Sequence, residues 1–173
     1  GGIWVDGNHL SQITNCTFAG NVAGLSGQDG GYGGAVSGGN LELLNVTIVG
    51  NHAEHSGGAI FNESGSSVSL RNSIISANTS GNDWGGGLSC RDTMEGDHDI
   101  QWPAPAGNDA PCTAGVTAAD PLLGELSDNG GPTWTIPLSN GSPAIDAGED
   151  CPATDQRGLP RSGICDVGAF EVQ

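Results

Sequence analysis

The sequence predicts an all-β chain wound as a parallel β-helix of three to four coils. Three observations predict it: a phrase that repeats, a two-residue alternation inside each copy, and turn residues between the copies. The phrase reads Ile13-Thr-Asn15-Cys-Thr-Phe18-Ala-Gly-Asn21, Leu43-Leu-Asn45-Val-Thr-Ile48-Val-Gly-Asn51 and Leu70-Arg-Asn72-Ser-Ile-Ile75-Ser-Ala-Asn78. The two asparagines are six residues apart in every copy, and successive copies are 30 and 27 residues apart. A recurrence of this length marks a solenoid, in which each repeat is one unit stacked on the next.

The strands come first. The apolar residue two before the first Asn (Ile13, Leu43, Leu70) and the one three after it (Phe18, Ile48, Ile75) are placed to point inward. Val, Ile, Thr and Phe suit a pleated strand, and no window carries a helical stripe. The turns follow. The chain holds 31 glycines, with many Asn and Ser residues between the apolar runs. Each copy is preceded, 11 to 14 residues upstream, by Gly1-Gly2-Ile3, Gly33-Gly34-Ala35 or Gly57-Gly58-Ala59. On this spacing Trp4, Val36 and Ile60 share one position, either core or an exposed apolar stripe that contacts another subunit. Gly86-Gly87-Leu88 opens a fourth copy whose phrase is never completed.

The asparagines have a structural reason to recur. Asn tolerates the left-handed conformation, and stacked Asn side chains can hydrogen-bond from coil to coil. Asn15, Asn45 and Asn72 are expected to form one ladder, and Asn21, Asn51 and Asn78 another. Five positions also match the N-glycosylation sequon. Asn62, Asn140 and Asn78 are the candidate acceptors, because a buried ladder Asn such as Asn15 or Asn45 cannot carry a glycan.

Residues 1–89 are expected to form the coils. Residues 90–173 are expected to form an irregular, disulfide-containing segment and C-terminal cap, packed with the coils as one continuous domain. Cys90 and Cys112 bracket one repeat-free loop, and Cys151 and Cys165 a second. Two local pairs of this kind imply an oxidising compartment. With no C-x-x-C and no zinc-finger His spacing, metal ligation by these cysteines is not supported. Cys16, replaced by Val46 and Ser73 in the other copies, reads as a small buried residue.

Composition narrows the function. The net charge is −16, with four arginines and no lysine. Such a surface repels nucleic acid and anionic membranes, suits an extracellular protein, and attracts cations such as Ca²⁺ only weakly. No apolar run is long enough to span a membrane as a helix, and no signal peptide is seen. The chain opens in mid-repeat, so a processed or truncated N-terminus is expected.

The tail carries its own string of motifs. It reads Asp120-Pro-Leu-Leu-Gly124, Asp128-Asn-Gly-Gly-Pro-Thr133, Gly141-Ser-Pro-Ala-Ile-Asp-Ala-Gly148, Thr154-Asp-Gln-Arg-Gly158 and Cys165-Asp-Val-Gly-Ala-Phe-Glu171. In this order it resembles the choice-of-anchor Q domain of bacterial surface and secreted β-helix proteins. The Gly-Gly-(Ala/Ile) and Asn-x-Thr phrases are similar to the repeats of polymorphic outer-membrane proteins. The resemblance implies a right-handed parallel β-helix ending in a loop-rich cap, with cysteine pairs of the family's pattern, and export to the cell surface or beyond. It implies no established activity. Members often continue into an anchoring tail, whereas this chain stops at Gln173, so anchoring is expected to be absent, removed or replaced. Read from the residues, Asp155, Arg157, Arg161 and Asp166 form an ion-pair network that pins the cap.

Catalytic signals are sparse. Polysaccharide lyases and hydrolases of this architecture need acids at matching positions of neighbouring coils. Those positions hold Gln12, Glu42 and Ser69, then Thr14, Leu44 and Arg71. Glu42 and Arg71 are expected to pair diagonally at the surface. His52, Glu54 and His55, and the group Glu95, Asp97, His98 and Asp99, are the candidate cation sites, and both read better as solvated loops. Trp4, Tyr32, Trp84 and Trp102 are the candidate sugar-stacking platform. A coil with nothing before it has a bare end, which predicts head-to-tail self-association. The leading expectation is an extracellular structural or surface protein, a self-assembling filament or surface-layer subunit or an adhesin-like module, and not an enzyme. The alternative is a carbohydrate-binding module or a polysaccharide lyase or hydrolase of the β-helix type, with polysaccharide as partner.

Overall fold

Each repeated phrase forms a long strand bent at its first asparagine. The computed structural model describes residues 2–24, 30–81, 88–107 and 109–173. The first coil contains β1 (Ile3–Val5), β2 (Ser11–Ala19) and β3 (Val22–Ala23). The second contains β4 (Val36–Gly38), β5 (Leu41–Val49) and β6 (His52–Ala53). The third contains β7 (Ile60–Asn62), β8 (Val68–Arg71), β9 (Ile74–Ser76) and β10 (Thr79–Ser80). Beyond it, β11 (Glu95–Asp97), β12 (Ile100–Trp102) and β13 (Thr117–Ala118) extend one face only. Every pairing between these strands is parallel. They make three faces: β1-β4-β7, β3-β6-β10, and a long face built on β2, β5, β8 with β9, β11 with β12, and β13. The described residues contain no helix. This is a parallel β-solenoid of about three turns, the predicted class.

The bends share one backbone conformation. Asn15, Asn45 and Asn72 have φ of 52°, 51° and 51°, in the left-handed region that Asn tolerates. His98 takes the same corner in the fourth coil with φ 54°. The sequence phrase is lost there, but the backbone repeats it, and Ile100 pairs with Ile74 just as Ile74 pairs with Thr47. The Gly-Gly pairs mark the tightest approach between coils. Gly33 and Gly57 have φ of +66° and +69°, and a Cβ on Gly34 would lie 2.1 Å from the Gly58 carbonyl oxygen.

Leu41, Leu43, Val46, Ile48, Leu70 and Ile75 fill the interior with Val36, Ile60 and the Cys90–Cys112 disulfide. Phe18, Ile48 and Ile75 point inward, as their alternation requires. Cys16, expected to be buried, is half-buried beside Val46 and forms no disulfide. The shared position inferred for Trp4 is corrected by one residue. Ile3, not Trp4, pairs with Val36 and through it with Ile60. The first pair of coils is offset by 33 residues on this face, so Trp4 joins Ser37 and Phe61 on the outside. A slip of one residue moves a side chain to the other face.

Residues 112–118 pair onto the last coil, and the C-terminal segment then turns back. It runs back along the outer side of the long face. Residues 149–151 meet the third coil and 166–169 the second and third, while 154–156 and Arg161 reach the first. Val167, Ala144 and Leu138 pack there against Ile74 and Ile100, a second apolar cluster outside the solenoid. The outward Ile74 and Ile100 explain this placement, since an exposed apolar pair on a sheet face needs a cover.

Candidate functional site

The asparagine corners are the first candidate, and they divide into two kinds. At the second corner Asn21 donates through its backbone and side-chain nitrogens to Asn51 Oδ1, 2.9 Å each. Asn51 does the same to Asn78 Oδ1, again at 2.9 Å. Asn51 Nδ2 also donates to the Phe18 carbonyl and Asn78 Nδ2 to that of Ile48. The first corner is different. Asn72 Nδ2 lies 3.4 Å from Asn45 Oδ1, but Asn15 turns away. Its Nδ2 donates to the Thr154 carbonyl at 2.7 Å, and its Oδ1 accepts from Arg161. Asn45 Nδ2 donates to the carbonyls of Asp166 and Gly168, and Asn72 exchanges bonds with the Glu149 backbone. Side chains at this bend project toward the C-terminal segment, whose carbonyls offer the nearest acceptors. The row is thus a set of clasps for the tail. Asn78, offered as a glycan acceptor, is buried with its nitrogen committed to Ile48. Asn62 is half-buried, and Asn140 is exposed in a turn.

The tail's charged residues form two ion pairs joined through Glu171, whose backbone nitrogen donates to Asp155 and whose carbonyl accepts from Arg157. Asp155 binds Arg157 at 2.7 Å, and the Arg157 guanidinium lies 3.7 Å above the Phe170 ring. Arg161 binds Glu171 at 2.9 Å, with both side chains almost fully buried. Asp166 accepts from the backbone of Asp146 and Val172, and burial raises its pKa. Glu171 was absent from the expected network because it lies outside the Arg-dense stretch. It nevertheless receives Arg161 and the backbone nitrogens of Ser162 and Asp166.

In the candidate cation groups His52 lies 3.9 Å from Glu54 and His98 3.7 Å from Asp97, while strand alternation parts Asp97 from Asp99. Asp97 faces outward and binds Arg71 at 2.8 Å, which holds its carboxyl below the usual range. Arg71 therefore pairs with Asp97 and not with Glu42, which accepts from Gln12 at 2.6 Å. Glu95 lies outward beside Ser69, two rungs from Glu42. Asp99 turns inward, fully buried, where its carboxylate accepts from Ser73 N at 2.8 Å and from Thr113 Oγ1 at 3.2 Å. Burial pushes its pKa up to about 7. His52 bonds Thr79 Oγ1 while His55 stacks on Tyr32, so these two rings serve different neighbours. Among the described residues no three such ligands converge. The Cys90–Cys112 and Cys151–Cys165 bonds are both formed.

The aromatic candidates separate as well. Trp102 sits in β12 on the long face, and Trp84 lies outside the described residues. Trp4 and Tyr32 share one groove of about 560 Å³ on the outer side of β1-β4-β7, with Ser37, Phe61 and Glu63. Phe61 escaped the sequence reading, since only the register shows it level with Trp4.

Residues 45–63 match the family model of the Chlamydia polymorphic membrane protein repeat. The match covers the second half of β5, all of β6 and β7, and the turns between them. Together with the solenoid, it fits a β-helix repeat protein of the polymorphic-membrane-protein type. No curated protein and no solved structure matches the chain.

Proposed function

We propose that this chain is a bacterial surface β-helix protein, working outside the cell as an adhesin-like binding module rather than as an enzyme. The observation that carries the reading is the repeat match at residues 45–63, because it falls on the coil unit from which the whole solenoid is built. The two disulfides support an oxidising setting, and the net charge of −16 supports a solvated surface. On the long face Glu42 and Asp97 carry partners of their own. The row Gln12, Glu42, Ser69, Glu95 places its two acids on non-adjacent coils, and Glu42 is already bonded to Gln12.

Intact cells of the source bacterium would be treated with protease and probed with an antibody to the folded chain. Loss of the signal while a cytosolic marker survives supports a surface location. A signal that stays protected until the cells are lysed overturns it.

A further inference from the structure

We propose that the groove on the outer side of β1-β4-β7 binds a neutral oligosaccharide. The inference takes its biological setting from the surface reading above, but not its chemistry. The register puts Trp4, Ser37 and Phe61 side by side on three successive strands. Strands lie about 4.8 Å apart, so the Trp4 and Phe61 backbones stand roughly 10 Å apart along the solenoid axis. Small Ser37 leaves a notch between them. Tyr32 forms a wall, its ring centroid 4.6 Å from Phe61 and 5.3 Å from His55. Arg91 covers Phe61 at 4.7 Å. Phe61 and Tyr32 are thus held in place before any ligand arrives, which lowers the ordering cost of binding.

Trp4 is 68% exposed, so its ring is open to a ligand. The groove combines flat apolar rings with a few polar groups: the Ser37 hydroxyl, the Glu63 carboxylate and the Tyr32 phenol. That mixture fits a ring with C–H faces and a rim of hydroxyls. A pyranose is about as long as one rung, so a linear chain can lay one sugar on Trp4 and run on across the Ser37 notch to the Tyr32–Phe61 wall. The net charge of −16 and Glu63 disfavour anionic ligands. The groove is shallow and open, which does not suit an apolar peptide that must be enclosed.

The test uses the purified, disulfide-bonded chain in isothermal titration. The probes are hexasaccharides of 1,4-linked glucose, of mannose and of N-acetylglucosamine, with a heparin hexasaccharide and an apolar decapeptide beside them. At least one neutral probe is expected to bind. Trp4→Ala should weaken it about tenfold or more, and Trp134→Ala, which removes an exposed ring on the tail, should leave it unchanged. The proposal fails if no neutral probe binds, if both variants lose affinity equally, or if heparin or the peptide binds in their place. Protease shaving of cells reads location independently, so the two proposals can fail separately.

Discussion

The side-chain nitrogen of Asn45 donates at 3.1 Å to the carbonyl oxygen of Asp166, 121 residues further along the chain. The same nitrogen serves the Gly168 carbonyl at 3.1 Å, and Asn45 is fully buried. One amide therefore fixes the corner of the second coil and the path of the tail across it. A residue chosen for its left-handed backbone also supplies donors at a place where water has been excluded.

Asn45→Ala should destabilise the chain by about 2–4 kcal/mol, since it leaves buried carbonyls unpaired and puts Ala at positive φ. Asn45→Gly keeps the backbone freedom and should recover part of that loss. Urea unfolding of the two variants separates the terms. Equal losses would show that the backbone conformation contributes nothing.

The buried Arg161–Glu171 pair makes a second prediction. Glu171→Ala removes the partner of a guanidinium that has little access to water, and should cost about 3–5 kcal/mol. Converting both residues to Met should cost less than Glu171→Ala alone. A double variant that is worse than the single one would mean that the pair is net stabilising beyond satisfying Arg161.

The coils were legible because a solenoid repeats its corner chemistry, so Asn15, Asn45 and Asn72 announce themselves by spacing. The position of the tail was not legible. Its contacts with the corners run through backbone carbonyls, which carry no sequence signal, and its anchors Ile74 and Ile100 look like ordinary strand residues. His98 hid the fourth corner because it replaces Asn at the same φ. Trp4 was misaligned because glycine spacing does not fix register when loop length changes between coils. The groove depended on that register, so Phe61 stayed invisible beside it.

The two disulfides should differ in accessibility. Cys90 and Cys112 are fully buried in the solenoid core, whereas Cys151 and Cys165 are half-buried at the tail. Under native conditions a mild thiol reductant should open Cys151–Cys165 first, as read by alkylation and peptide mass. Its loss should loosen the tail while the coils persist, because its ring bridges tail residues only. Earlier labelling of Cys90 and Cys112 would mean that the fourth coil opens more readily than the tail.

Asp99 predicts how stability depends on pH. Its carboxyl is buried against Ser73 N and Thr113, with Asp97 and His98 the nearest charged groups, and burial raises its pKa from 3.8 to about 7. Between those values the folded chain holds a proton that the unfolded chain has released. Its contribution to stability is therefore complete below about pH 4 and declines as pH rises toward 7, at up to about 1.4 kcal/mol per pH unit. Asp166, also raised by burial, acts in the same direction, while Asp97, lowered by Arg71, acts only at more acid pH. Asp99→Asn keeps an acceptor for Ser73 N and a group that can bond Thr113, but it cannot titrate. Urea midpoints measured from pH 4.5 to 7.5 should fall more steeply for the native chain than for this variant. Parallel slopes would show that Asp99 is already ionised in the folded state, with its two donors outweighing its burial.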